Sequence, residues 1–362
     1  MYIKTSLLFF FISTFVFAQS QSIALEAANW EFLPQAKHEF KTVEGKKALW
    51  LNGTAFVKDS DFGDGVLTVD ILATDKRSFA GIVFHQQDGF FEEVYLRLHK
   101  SKQVDALQYT PKYHHESNWQ LYPEHQAQVA YLDSGWNRLQ ITIRGNTAQV
   151  SVNGSQVLVV PHLKTGLTRG RIGLFGLFGA TFTQFTMENT MASAWEVTPA
   201  VTDPLLVSDW ALSDAFVYDD SEDLHKWLQK EPKQRVKTEA SGLLPVSKYV
   251  AKSSSGSFDR NREDVVVASI KIESDGQQTQ WLDFDYSDKV RVFLNGTEIY
   301  RGSESFRTLN PQFMGHLGKG QRQIPLALKK GENNLQVVLI EKANGWGLRA
   351  AFKNAQGIRW QP

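Results

Sequence analysis

Residues 78–119 read SFAGIVFHQQDGFFEEVYLRLHKSKQVDALQYTPKYHHESNW, and this stretch decides the fold. Three short β-patterned runs lie in it, Phe79–His85, Glu93–His99 and Asp105–Tyr109. Side chains alternate sides along a strand. Ala80, Ile82 and Phe84 therefore share one face of the first run, and Val94, Leu96 and Leu98 share one face of the second. If these apolar sets pack into one core, the opposite face carries His85, Tyr95, Arg97, His99 and Gln108. Aromatic, guanidinium, amide and imidazole groups on one surface suit a ligand covered in hydroxyls.

The same pattern continues on both sides. From His38 to Glu188, β-patterned runs alternate with turn signals and no helix-period stretch stands out. Further runs are Gly65–Ala73, Trp136–Arg144, Arg169–Phe175 and Thr181–Glu188. In Trp136–Arg144, Leu139, Ile141 and Ile143 face one way, and Arg138, Gln140 and Thr142 face water. Asn52-Gly53 and Asn153-Gly154 sit between paired runs and are expected to form two-residue hairpin turns, because Asn and Gly tolerate positive φ. The spacing predicts a large antiparallel sandwich.

Residues 191–204 (MASAWEVTPAVTDP) lose the alternation and read as a linker. Beyond them, Trp210–Tyr218 reads as a strand. Ser221–Lys230 reads as one helix, capped by Ser221, with Leu224, Trp227 and Leu228 as its apolar stripe. Lys252–Arg262 reads as a loop. A second run of strands then continues to the C-terminus, with a hairpin turn at Asn295-Gly296 and a tight turn over Gly331–Asn334. The expected organisation is a signal peptide over 1–18, a β-sandwich over 19–190, a linker over 191–204 and a second β-sandwich over 205–362. The fold class is all-β, two antiparallel jelly-roll sandwiches.

Composition narrows the function. The chain has 362 residues, enough for two domains of ordinary size. Its 39 basic and 39 acidic residues balance, so no positive field supports nucleic-acid binding. Cysteine is absent, which excludes a disulfide framework and thiolate chemistry. Lys4 followed by the apolar run Leu7–Ala18 has the form of a secretory signal, and the run is too short to span a bilayer. No later stretch is long and apolar enough to do so. The expectation is a periplasmic or secreted protein with no membrane span. Ten Trp suit a sugar-binding surface, although sandwich cores also use them.

Particular residues carry two resemblances. Gly81-Ile82-Val83-Phe84-His85, Tyr95-Leu96-Arg97, Asp105 to Tyr109, Trp136 to Leu139 and Gly170 to Leu174 resemble concanavalin A-like lectin/glucanase domains. Within that group the likeness is to the laminin-G-type and 3-keto-disaccharide-hydrolase-related domains of exported bacterial proteins. Ser287 to Gly296, Leu328 to Asn333 and Trp346-Gly347 resemble galactose-binding-like jelly rolls, which accompany many glycosidases. The first resemblance implies a carbohydrate-related domain. The second implies either a sugar-binding module or one that packs against its neighbour.

The sequence is poor in catalytic motifs. Glycoside hydrolysis needs two carboxyl groups across a cleft, and the Glu-x-Asp-x-x-Glu strand of laminarinase-like relatives is missing. Adjacent Glu92 and Glu93 point to opposite faces. Glu93 with Asp105 is the remaining pair, and Asp105 reads better as a loop-fixing residue. There is no nucleophile elbow, phosphate loop or dinucleotide fingerprint. His85, His99 and His114-His115 do not form a metal-ligand motif. Structural calcium needs no motif, and Asp59, Asp61 and Asp64 are the residues that would hold it.

The sequence therefore reads as an exported carbohydrate-binding protein. Its expected ligand is a poly- or oligosaccharide held by His85, Tyr95, Arg97, Gln108, Tyr109 and Trp119. No catalytic residue, cofactor or metal ligand is assigned. Arg301, Arg307 and Trp346 are candidates for a lesser site on the rim of the second domain. One alternative is a glycosidase-like enzyme with an atypical site around His85, Arg97 and Gln108. Another is a structural module with a protein partner, in which the Arg97 face would be covered by the second domain or a second copy.

Overall fold

The computed structural model describes residues 20–190, 195, 203–219, 224–253, 262–318 and 322–362. The expected signal peptide, most of the expected linker and the Ser221 cap lie outside these residues. The described elements are almost all antiparallel strands, in two units. No helix among the described residues is long and apolar enough to cross a membrane.

In the first unit one path of paired strands runs Gln126–Ala127, Leu107–Tyr113, Phe90–Arg97, Phe79–Gln87, Arg171–Asn189, Gly65–Ala73, Gly135–Arg144, Thr147–Val152 and Ser155–Val160. The two runs expected at Arg169–Phe175 and Thr181–Glu188 are parts of one 19-residue strand, Arg171–Asn189. Its first part pairs with Phe79–Gln87 and its second with Gly65–Ala73. Positive φ at Phe178 and Gly179 marks the change of partner.

Asn52-Gly53 is not a hairpin. It lies inside the continuous strand Lys46–Val57, which follows the long strand around the same bend. A Cβ on Gly53 would lie 2.6 Å from Ala36 Cβ, and φ there is +137°. The glycine allows a close crossing of chains rather than a chain reversal. Asn153-Gly154 and Asn295-Gly296 are hairpin turns, with φ of 50° and 83° at the first and 52° and 81° at the second.

The apolar faces meet as expected. Ile82, Phe84, Val94, Leu96, Leu139, Ile141, Ile143 and Phe182 form part of one buried core. Burying each such side chain contributes about 1.5–3 kcal/mol.

The second unit stacks an eight-stranded sheet on a four-stranded sheet. The larger sheet is centred on Asp264–Ser274 and Gly331–Glu341, and the smaller on Gly347–Phe352 and Gln278–Ser287. Trp210, Val266, Phe284, Val337, Trp346 and Phe352 share the core between them. Trp346 is thus a packing residue and not part of a rim. The strand expected over Trp210–Tyr218 is two short strands, Asp209–Leu212 and Phe216–Val217. Of the helix expected over Ser221–Lys230, the described residues are helical over Leu224–Leu228, and its expected start lies outside them. Gly331–Asn334 already belongs to a strand, so the turn is made by Lys329-Lys330, where the chain passes between sheets.

The two units touch through Asn118–Tyr122. Leu121 and Tyr122 form a small buried cluster with Leu243 and Leu317. Tyr122 Oη donates to Glu239 at 2.7 Å, and Glu239 also pairs with Lys164 at 2.8 Å. Gln120 Nε2 donates to the Met314 carbonyl at 2.7 Å, and the Leu317 amide returns a bond to the Gln120 carbonyl at 2.9 Å. Ser247 bonds Asn118. A Cβ on Gly345 would lie 2.9 Å from Leu121 Cγ, so this approach needs a residue without a side chain.

Candidate ligand cleft between the two units

The paired strands Phe79–Gln87 and Phe90–Arg97 border a cavity of about 850 Å³, the first through Phe79 and the second through its polar face. Alternation places Glu93, Tyr95 and Arg97 on its floor, and Phe79 and His99 also line it. Phe175 and Phe178 come from the bend of the long strand. The opposite wall belongs to the second unit, through Phe306, Arg307, Met314, Ala343 and Asn344. Trp119 closes the junction, donating from Nε1 to Asn344 Oδ1 at 3.0 Å.

Arg97 anchors the floor. Its guanidinium donates to the Asp105 carbonyl, to Tyr95 Oη at 3.3 Å and to Gln108 Oε1 at 3.2 Å. Asp105 Oδ2 stands 3.8 Å from Arg97 Nε and 2.5 Å from Lys100 Nζ. Arg97 also lies over the rings of Tyr95 and Trp119, at 5.3 and 5.8 Å. Both aromatics are thereby fixed around one buried cation. Tyr95 meets Phe79 and Phe175 edge-on, at 5.9 and 5.8 Å. Burial raises its phenol, which stays protonated and able to donate.

Glu93 is the chemically unusual group. It is almost fully buried, and neither carboxylate oxygen receives a hydrogen bond. Lys112 Nζ stands 3.5 Å from Oε2. Burial raises the Glu93 carboxyl to about 6, with Lys112 opposing the shift. Burial also lowers His99 and His115, which line the same cleft.

The structure brings together three of the six expected ligand residues, Tyr95, Arg97 and Trp119. Gln108 lies behind Arg97 and is fully engaged. Its Oε1 accepts from Arg97 and Gln126, and its Nε2 donates to the carbonyls of Tyr109 and Tyr122. Tyr109 points to the other side, as the neighbour of Gln108 must. It packs in the core, donates to Glu92 at 2.6 Å and accepts from the Lys164 amide.

His85 does not reach the cleft either. A bulge between Phe84 and Gln87 gives it a φ of 54° and breaks the alternation. Its ring is buried between the carbonyls of Leu167 and Gly63, at 3.1 and 3.2 Å. Asp61 pairs with Arg169, and Asp64 accepts from the Gly145 amide, so protein groups engage two of the three acids considered for calcium. Arg301 pairs with Glu298, whereas Arg307 lines the cleft. The sequence reading missed Lys112, Phe175, Phe178 and Phe306. The polar-face alternation of Gln108, Thr110 and Lys112 was the available signal for the first. The aromatics depend on a bend and on the contact between units, which no local pattern encodes.

Residues 28–184 match the family model described as a 3-keto-alpha-glucoside-1,2-lyase-like domain. Among solved structures the chain is similar to a Bacillus subtilis protein of unknown function with a galectin-like fold. That likeness has 13% identity and a TM-score of 0.34, and covers 45% of this chain and 90% of the other. A Bacillus subtilis carbohydrate-binding module shows 13% identity and a TM-score of 0.31, covering 44% and 94%. A putative glycosyl hydrolase from Parabacteroides distasonis shows 14% identity and a TM-score of 0.35, covering 48% and 100%. Comparison with curated proteins found no match.

Proposed function

We propose that this chain is an exported carbohydrate-binding protein whose ligand lies in the cleft, on the polar sheet face of the first unit. The observation that carries the reading is the arrangement of Tyr95 and Trp119 around Arg97 in a cavity of about 850 Å³. Aromatic faces take the C–H side of a pyranose ring, while fixed donors beside them take its oxygens. The match of residues 28–184 to a keto-glucoside lyase-like model supports a sugar ligand. In this reading Tyr95 and Trp119 touch the ligand, and Gln108 and Asp105 hold Arg97 in place. The second unit serves as a wall of the site. Affinity electrophoresis against a panel of polysaccharides tests the reading: Tyr95→Ala should weaken retention that the unaltered chain shows. Retention unchanged by that substitution argues against this face.

Glu93 favours a second reading, an enzyme acting on the bound sugar. A carboxyl raised to about 6 can both take and return a proton near neutral pH. A lyase working across C1 and C2 of a keto-sugar must remove a proton next to the carbonyl, and Glu93 is the cleft group suited to that step. Product release abolished in Glu93→Gln, with ligand still bound, supports it. No product from glycosides or keto-glycosides leaves the binding reading alone.

A further inference from the structure

We infer that the cleft takes an anionic saccharide, one bearing carboxylate or sulfate groups. This rests on the carbohydrate reading above and adds the charge class of the ligand. The chain as a whole carries 39 basic and 39 acidic residues. The cleft departs from that balance. Arg77, Arg97, Lys100, Lys112 and Arg307 line it, against the carboxylates of Glu93 and Glu116. Asp105, behind the floor, serves both Arg97 and Lys100, and Lys112 faces Glu93. His99 and His115 are held toward their neutral forms by burial.

Arg77 and Arg307 remain. Among the described residues neither forms an ion pair, and both are exposed. Each is held against aromatic rings. The Arg77 guanidinium lies 5.1 Å from the Phe178 ring and 5.7 Å from the Phe79 ring, and that of Arg307 lies 4.8 Å from the Phe306 ring. A guanidinium resting on a ring keeps its N–H edge free, and that edge fits a carboxylate or sulfate with two parallel bonds. The two arginines come from different units. One precedes the strand Phe79–Gln87, and the other follows Thr297–Ser303. A concave, partly desolvated site concentrates such a field. An acidic sugar chain crossing the junction would meet one free cation from each side. A neutral glycan would leave both unused.

The test uses matched polymers with the purified chain in affinity electrophoresis at low and at raised salt. The pairs are dextran with dextran sulfate and galactan with polygalacturonate, and the two acidic polymers distinguish sulfate from carboxylate. The expected result is retention at least about tenfold stronger on one acidic polymer than on its neutral partner, weakening with salt. Arg77→Gln and Arg307→Gln should each reduce it. Arg301→Gln, which removes a cation already paired with Glu298, should not. Equal retention on neutral and acidic polymers overturns the charge class and leaves the carbohydrate reading standing. Acidic retention unaffected by the double variant Arg77→Gln/Arg307→Gln also overturns it. No retention on any of the four polymers overturns both.

Discussion

Trp119 Nε1 donates to Asn344 Oδ1 at 3.0 Å, a bond between residues 225 positions apart that joins the two units at the mouth of the cleft. The Gln120 amide donates to the Asn344 carbonyl at 3.1 Å, so both ends of Asn344 hold the same short segment. Asn344→Ala removes the side-chain bond but keeps the backbone one. It should cost about 1 kcal/mol of stability for the lost hydrogen bond, and more because alanine tolerates the φ of 87° at this position less well than asparagine does. It should also weaken ligand retention through the displaced Trp119 ring. Thermal unfolding and affinity electrophoresis of the same sample check this. Unaltered retention would show that the position of Trp119 does not matter to the ligand.

His85 and Tyr95 make a contrasting pair. His85→Ala removes a buried ring bonded to two loop carbonyls and should lower the melting temperature without changing ligand affinity. Tyr95→Ala should lower affinity by about tenfold or more, as loss of a stacking aromatic does at about 1.4 kcal/mol per factor of ten. Calorimetric titration of both variants reads the difference. Equal affinity losses would place His85 in the site after all.

Arg97→Lys keeps the charge but loses the planar fork that reaches Tyr95, Gln108 and the Asp105 carbonyl together. It should destabilise the chain by about 2 kcal/mol or more, since Gln108 and Asp105 stay buried with poorer partners. Ligand affinity should fall with it. Denaturant unfolding followed by intrinsic fluorescence reports the first effect and titration the second. A lysine variant with unchanged stability and affinity would contradict the anchoring role of the guanidinium.

Glu93 predicts a pH dependence. Its carboxyl is raised from 4.5 to about 6, so between those values the folded chain holds a proton that the unfolded chain releases. Stability from this group is therefore highest below about pH 4.5 and is lost as pH rises through about 6. Glu93→Gln does not titrate. Its stability relative to the unaltered chain should rise across that window by up to about 2 kcal/mol. Melting curves at pH 4, 5, 6 and 7 measure the trend. A difference that stays flat would mean that Lys112 offsets the burial of Glu93.

The all-β class and the two faces of Phe79–Gln87 and Phe90–Arg97 were legible because period-two alternation is a local property. Glu93, Tyr95, Arg97 and His99 fell on one side for that reason. His85 was misplaced because it sits in the bulge itself, where a positive φ takes its side chain out of the alternation, and nothing in GIVFHQQ announces the bulge. Asn52-Gly53 shows the converse. The dipeptide favours positive φ, but only the neighbour Ala36 decides whether that φ turns the chain or lets it pass a close crossing. Tyr109 was separable from Gln108 by alternation alone. The far wall of the cleft was out of reach, because Phe306 and Asn344 meet Trp119 only across the contact between the two units.

The most direct test of the central claim is hydrogen exchange of the whole chain with and without a retained polysaccharide. The account predicts slower exchange in residues 93–99, 117–122, 304–314 and 342–346, from both units at once. Protection confined to one unit away from these segments, or none with saturating ligand, would contradict a cleft shared between them.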